Sequence, residues 1–141
     1  MNNQVFYTVT SGTLVFVIGQ ILQKFFLEPI YEYKKTIGEI DNKLKFYANI
    51  LTNSGFNQKI ILEITNTMRT LSCQIESNYK QIPFTDFLSR IGCIEGKKEI
   101  AEVAQGLIFL SNAGGRGESK IEKCDERIDQ IRKIFKIESL N

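Results

Sequence analysis

Proton chemistry near neutral pH most often begins with a histidine, and this chain of 141 residues has none. Ser-His-Asp triads, imidazole-ligated metals and histidine general bases are therefore excluded. Among the remaining candidates, the loop Gly114-Gly115-Arg116-Gly117-Glu118-Ser119-Lys120 has the composition of a phosphate cradle. It lacks the order of a P-loop, follows a helical pattern rather than a strand, and sets a carboxylate beside the supposed phosphate, so it reads as a helix connector. Asp86, Arg90, Glu99 and Glu102 flank a turn in a pattern that solvated charges explain. Nothing in that pattern marks the cleft a paired-carboxylate hydrolase needs. Cys73, Cys93 and Cys124 are odd in number and match neither a disulfide framework nor a zinc-ligand spacing, so they read as small apolar residues of a reducing compartment. Asn49, Asn53 and Asn112 fall near helix ends and read as caps, while Tyr47, Tyr79 and Phe84 read as core aromatics by spacing. The residues predict no catalytic, cofactor-binding or metal site, and no enzyme.

The more informative chemistry is uncharged. Thr8, Ser11, Gly12, Gly19 and Gln23 fall within one arc of roughly 120° on a helical wheel, with Phe6, Leu14, Val17, Ile21 and Phe25 opposite. Hydroxyls and an amide facing hydrocarbon would be left unpaired, whereas small residues permit close helix approach and glutamine bonds across helices. The stripe therefore predicts helix association, or a face lining water, within a membrane. The plainer alternative is a single-pass anchor whose polar residues happen to align.

The element that positions this stripe is Val5 to Leu22, eighteen residues without a charge. As a helix it covers roughly 27 Å, close to the roughly 30 Å hydrocarbon core, and Phe25 and Phe26 complete the span. A buried helix of a soluble domain and a cleaved signal peptide are the competing assignments; the latter fits poorly without a positive n-region or a small-residue cleavage site. Met1 to Gln4 carries no lysine or arginine, whereas Lys24, Lys34, Lys35, Lys43 and Lys45 follow the span. The positive-inside rule then predicts an inner-membrane, single-pass protein with its N-terminus outside and residues 29–141 in the cytoplasm. Residues 1–28 form the membrane helix and its flanks.

Beyond the span, Ile30, Tyr33, Ile37, Ile40, Leu44, Tyr47 and Leu51 alternate by threes and fours, an amphipathic helix whose apolar row faces a domain core. Pro29 marks either a new helix or a kink in one long helix. Further helices are predicted at Asn57 to Asn78, capped by Asn57, at Phe84 to Ile91, at Lys97 to Asn112, and at Ser119 to about Ile137. The helix at Lys97 is apolar on more than one face and is the candidate for the centre. No strand alternation occurs, so the fold class is all-α: one N-terminal transmembrane helix followed by a four- to five-helix cytoplasmic bundle. A net charge of +2 with interleaved signs gives no footprint for nucleic acid.

The segments Gly19-Gln20, Lys24-Phe25, Glu28-Pro29-Ile30, Ile37-Gly38-Glu39-Ile40, Phe46-Tyr47-Ala48-Asn49 and Leu110-Ser111-Asn112 resemble those of small uncharacterised bacterial proteins with one N-terminal span and a helical cytoplasmic domain. In layout, more than in residues, the chain is also similar to the accessory membrane protein of type VI-B CRISPR systems. That resemblance implies a HEPN-like bundle, assembly into a ring-shaped membrane pore and a part in antiphage defence. HEPN ribonucleases pair an arginine with a histidine four to six residues on, and here Arg116 and Arg127 have no histidine to pair with. The resemblance thus implies assembly without RNA cleavage. Two functions are expected to compete: a homo-oligomeric membrane-perturbing protein, and a single-pass anchored module whose bundle binds a cytoplasmic partner.

Overall fold

The structure, a computed structural model, describes residues 2–51, 57–113 and 121–137. Pro29 dictates its least regular feature. Proline has no N–H for the carbonyl four residues back, and its ring crowds that carbonyl, so an undisturbed α-helix does not pass through it. The chain accommodates this with one wide turn. Helix α1 (Asn2–Leu22) runs into a π-helical turn at Gln23–Leu27, where the Glu28 N–H bonds to the Gln23 carbonyl, and continues as α2 (Glu28–Leu51). Pro29 therefore neither starts a new helix nor breaks the old one. Asn3–Ala48 is a continuous rod of 46 residues, about 69 Å long.

Only the second half of that rod has neighbours. Tyr33, Ile40, Leu44 and Tyr47 are buried, with Ile30 and Ile37 packed at their edges, so the row of threes and fours faces a core as its spacing predicts. Helix α3 (Gln58–Gln81) begins at Asn57, whose side chain accepts the Lys59 N–H at 3.1 Å, and buries Ile64, Met68, Leu71, Ile75 and Tyr79. A short helix, α4 (Thr85–Arg90), ends at Ile91 and is followed by Gly92 at φ +75, a conformation glycine adopts without cost. Helix α5 (Lys97–Ser111) starts where the Glu99 carboxylate accepts the Gly96 N–H at 2.7 Å. Helix α6 (Ile121–Ile134) contributes Cys124, Ile128 and Ile131, with Phe135 just beyond it.

Cross-helix pairs fix the topology. Tyr47 bonds to Glu63 and Asn78 to Thr36, so α3 returns antiparallel to α2. Thr65 bonds to Ser111 and Ser72 to Ala104, so α5 runs back along α3; Gly106 faces Ile131 and Phe109 meets Arg127, so α6 reverses again. The result is an up-down-up-down bundle of α2, α3, α5 and α6, closed by contacts of α6 with α2. The α3–α5 interface is the largest, so the centre is shared by two helices rather than held by α5 alone. All regular structure among the described residues is helical.

Two expectations need correction. Phe84 is not a core aromatic: it is 70% exposed, with its backbone in the left-handed region at φ 55, while Leu88 of the same short helix packs against the core. Cys73 and Cys93 are exposed, and only Cys124 is buried, since Cys73 lies on the outer side of α3 and Cys93 in the turn after α4. The break at Asn53-Ser54-Gly55, the connector from Gly114 to Lys120 with Arg116, and the side chain of Asn49 lie outside the described residues.

Candidate functional site

The candidate site is α1 with the turn that joins it to the bundle. The most apolar window of the rod has a mean hydropathy of 1.7, and none of it is buried. Among the described residues one helix is therefore long and apolar enough to cross a membrane, and that window is not part of the bundle core. Eleven large apolar side chains of α1, from Val5 to Leu22, stand exposed. Leaving each in water forgoes roughly 1.5–3 kcal/mol, a sum on the order of 20 kcal/mol or more. An exposed apolar surface of this extent marks an interaction face, and none of the described residues covers it.

Thr8, Ser11, Gly12, Gly19 and Gln23 all lie on this exposed rod, the first four in α1 and Gln23 at the first position of the π turn. Their surroundings differ. The Thr8 hydroxyl donates to the Gln4 carbonyl at 2.9 Å, the Ser11 hydroxyl to the Thr8 carbonyl at 3.0 Å, and Thr13 to Val9 at 2.9 Å. These hydroxyls are satisfied within the helix and demand no neighbour, contrary to the expectation that lipid would leave them unpaired. A Cβ added at Gly12 or Gly19 would meet nothing within 4 Å, so both present bare backbone to open space. The demand for a partner thus falls on the glycines' shallow surface and on the Gln23 amide.

The π turn also sets where that surface points. In an unbroken α-helix the stripe and the core-facing row of α2 would lie on nearly the same side of the rod. One wide turn shifts the register by a residue, about 100°, so the stripe looks past the flank of the bundle instead of over it.

Below the turn, α2 is locked to the bundle by a partly buried polar cluster. The Tyr33 hydroxyl donates to the Glu95 carboxylate, and its ring tilts against Tyr79 at 5.8 Å. Asn78 donates to Thr36 Oγ1 at 2.8 Å. Burial, and then the Glu95 hydrogen bond, push the Tyr33 phenol far above its ordinary range. Burial likewise raises Tyr79, and burial followed by the 2.9 Å bond to Glu63 raises Tyr47. The Tyr33 and Tyr47 phenols stay neutral donors, and all three buried tyrosines act as struts. Next to them, Phe26 stacks on Phe84 with ring centroids 6.0 Å apart and planes 15° off parallel. Holding a phenylalanine in the left-handed region costs about 1–2 kcal/mol, so this exposed ring is presented at the expense of the backbone.

In the first half of α3, Arg69 donates to Asn112 Oδ1 at 3.1 Å and Thr65 to the Ser111 carbonyl at 2.9 Å. Asn112 thus ends α5 as its position predicts, and the cation meets the negative end of that helix. Asp86, Arg90, Glu99 and Glu102 form no ion pair among the described residues; the pairs present are Lys35–Glu32, Lys45–Asp41 and Lys80–Glu76. No group of metal-ligating side chains occurs among the described residues. Sequence reasoning missed the π turn, the Tyr33–Glu95 strut and the outward Phe84. Pro29 signalled the first, while the left-handed Phe84 and the strut, between residues distant in sequence, carried no local signal. No protein-family model matches the chain, and no curated protein and no solved structure matches it either.

Proposed function

We propose that the protein is a homo-oligomeric membrane protein whose α1 crosses the inner membrane, N-terminus outside, and whose bundle stands in the cytoplasm. The surface of Thr8, Ser11, Gly12, Gly19 and Gln23 packs copies together or borders a central opening, and the assembly perturbs the membrane as a pore. A part in antiphage defence without RNA cleavage follows from the resemblance in layout to CRISPR accessory membrane proteins. The observation that carries this reading is a rod with one end built into a bundle and the other wholly bare, bearing two open glycines on one side. Bare backbone in a membrane is covered most favourably by another helix at close range. The experiment is the mass of the complex in detergent or nanodiscs across a protein-concentration series, with conductance in planar bilayers. A discrete multimer that conducts is expected; a monomer at every concentration ends the pore reading.

A second reading has its own observation. Because the hydroxyls of Thr8, Ser11 and Thr13 bond within the helix, α1 also satisfies the requirements of a solitary anchor carrying a partner-binding bundle. Replacing Val5 to Leu22 with polyleucine separates the two: an anchored module keeps its activity, and a pore loses conductance.

A further inference from the structure

Resting on the reading of α1 as a span, we infer that α4 seats in the headgroup interface of the same bilayer, so that the bundle stands on the membrane instead of hanging from a tether. The depth follows from α1. From Val5 to Phe26 the rod rises about 32 Å, which brings Phe26 to the edge of the hydrocarbon. Phe84 stacks on Phe26, so α4 lies at that level and not elsewhere on the bundle. The composition fits the level. Phe84, Phe87 and Ile91 are 70%, 62% and 56% exposed, Phe25 and Leu27, the chain neighbours of Phe26, stand exposed on the rod, and Arg90 is exposed on the same short helix. Aromatic rings with a nearby cation are the side chains favoured where acyl chains give way to phosphates. Asp86, the acid of that helix, is exposed one turn before Arg90 and lines the same shallow hollow as Phe84, Phe87 and Arg90, so the acid and the cation share the headgroup level.

The backbone supplies an independent observation. Phe84 holds a positive φ of 55 at the start of α4, a costly conformation for a phenylalanine, and its ring lies exposed and stacked on Phe26 of the rod. A second copy could also cover these rings, but a contact between copies gives no reason for the patch to lie where the chain's own span leaves the hydrocarbon.

The chain has no tryptophan, so a single substitution introduces a unique fluorophore. Full-length Phe84→Trp, Phe87→Trp, Val17→Trp and Leu62→Trp are reconstituted in phosphatidylcholine vesicles, plain or brominated on the upper acyl carbons. Bromine is expected to quench Phe84→Trp and Phe87→Trp to an extent comparable with Val17→Trp in the span, while Leu62→Trp, near the opposite end of α3, keeps its emission. Phe87→Trp sits on ordinary helical backbone and carries the test where the left-handed site does not accept tryptophan. If Val17→Trp is quenched and both α4 variants are not, the interface assignment fails and the span stands. Should Val17→Trp itself escape quenching, the membrane reading fails and takes this inference with it. Blue-shifted, unquenched emission that changes with the protein-to-lipid ratio would assign the patch to a second copy and overturn the inference.

Discussion

Gly106 in α5 and the pair Gly12 and Gly19 in α1 are the same residue in two states of completion. At Gly106 the neighbouring helix presses so close that an added Cβ would lie 3.1 Å from Ile131 Cδ1, whereas at Gly12 and Gly19 it would meet nothing within 4 Å. Around Gly106, α5 buries Ile100, Val103, Leu107 and Leu110, while the most apolar window of the rod buries nothing. Apolar residues on more than one face do not by themselves make a core helix. What distinguishes the two is whether the chain brings its own neighbours, and for α1 it does not.

The largest expected effect tests that difference directly. Leu107→Ala removes a fully buried side chain and is expected to cost about 2–5 kcal/mol of bundle stability, measured by denaturant titration in mild detergent. Leu14→Ala, a comparable truncation on the exposed rod, is expected to leave the bundle within about 0.5 kcal/mol of wild type. A similar cost at both positions would mean that α1 folds back onto the bundle in solution. Next in size, Gly106→Val forces α5 and α6 apart at a cost of about 1–3 kcal/mol. The paired change Gly12→Val with Gly19→Val should leave that stability untouched and instead shift the complex toward smaller species, with each tenfold loss of association amounting to about 1.4 kcal/mol. Unaltered mass in that double variant would remove the glycines from any interface.

The sequence revealed what depends on short-range periodicity. The rows Tyr33–Ile40–Leu44–Tyr47 and Ile64–Met68–Leu71–Ile75 are readable because a bundle helix buries one stripe every three or four residues, and the structure buries both rows. Asn57 was readable because capping is local. Phe84 was not, because burial and exposure have the same spacing until the backbone after Pro83 selects a left-handed turn that no propensity signals. The direction of the polar stripe was hidden for a related reason. A wheel drawn through Gln23–Leu27 assumes one register, and the π turn rotates everything after it. The need of Thr8 and Ser11 for partners was overestimated, because a hydroxyl in a helix can reach back to a carbonyl of its own chain.

That last point sets a smaller test of the same comparison. Thr65 of α3 bonds both to its own helix at Ile61 and across to Ser111 of α5, whereas Thr8 bonds only to Gln4. Thr65→Val leaves the terminal carbonyl of α5 without that donor and is expected to cost about 0.5–1.5 kcal/mol. Thr8→Val is expected to change neither bundle stability nor the mass of the complex. A loss of assembly in Thr8→Val would show that its hydroxyl serves a neighbouring copy in addition to its own helix.

The smallest effect is absent at neutral pH and emerges in alkali. Burial and the bond to Glu95 raise the Tyr33 phenol above its ordinary value of about 10, so the folded bundle holds this proton more tightly than the unfolded chain does. Below pH 10 both states are protonated and the contribution is complete. As pH climbs past 10 the unfolded state releases a proton that the folded state keeps, and stability falls. Tyr33→Phe is expected to flatten that decline, although Tyr47 and Tyr79, raised by burial as well, preserve part of the slope. Because all three struts belong to the bundle, alkali should abolish its near-ultraviolet tyrosine dichroism while the far-ultraviolet signal of a detergent-bound α1 persists. Simultaneous loss of both signals would instead make the rod and the bundle one cooperative unit, and the division between a self-sufficient domain and an uncovered helix would no longer hold.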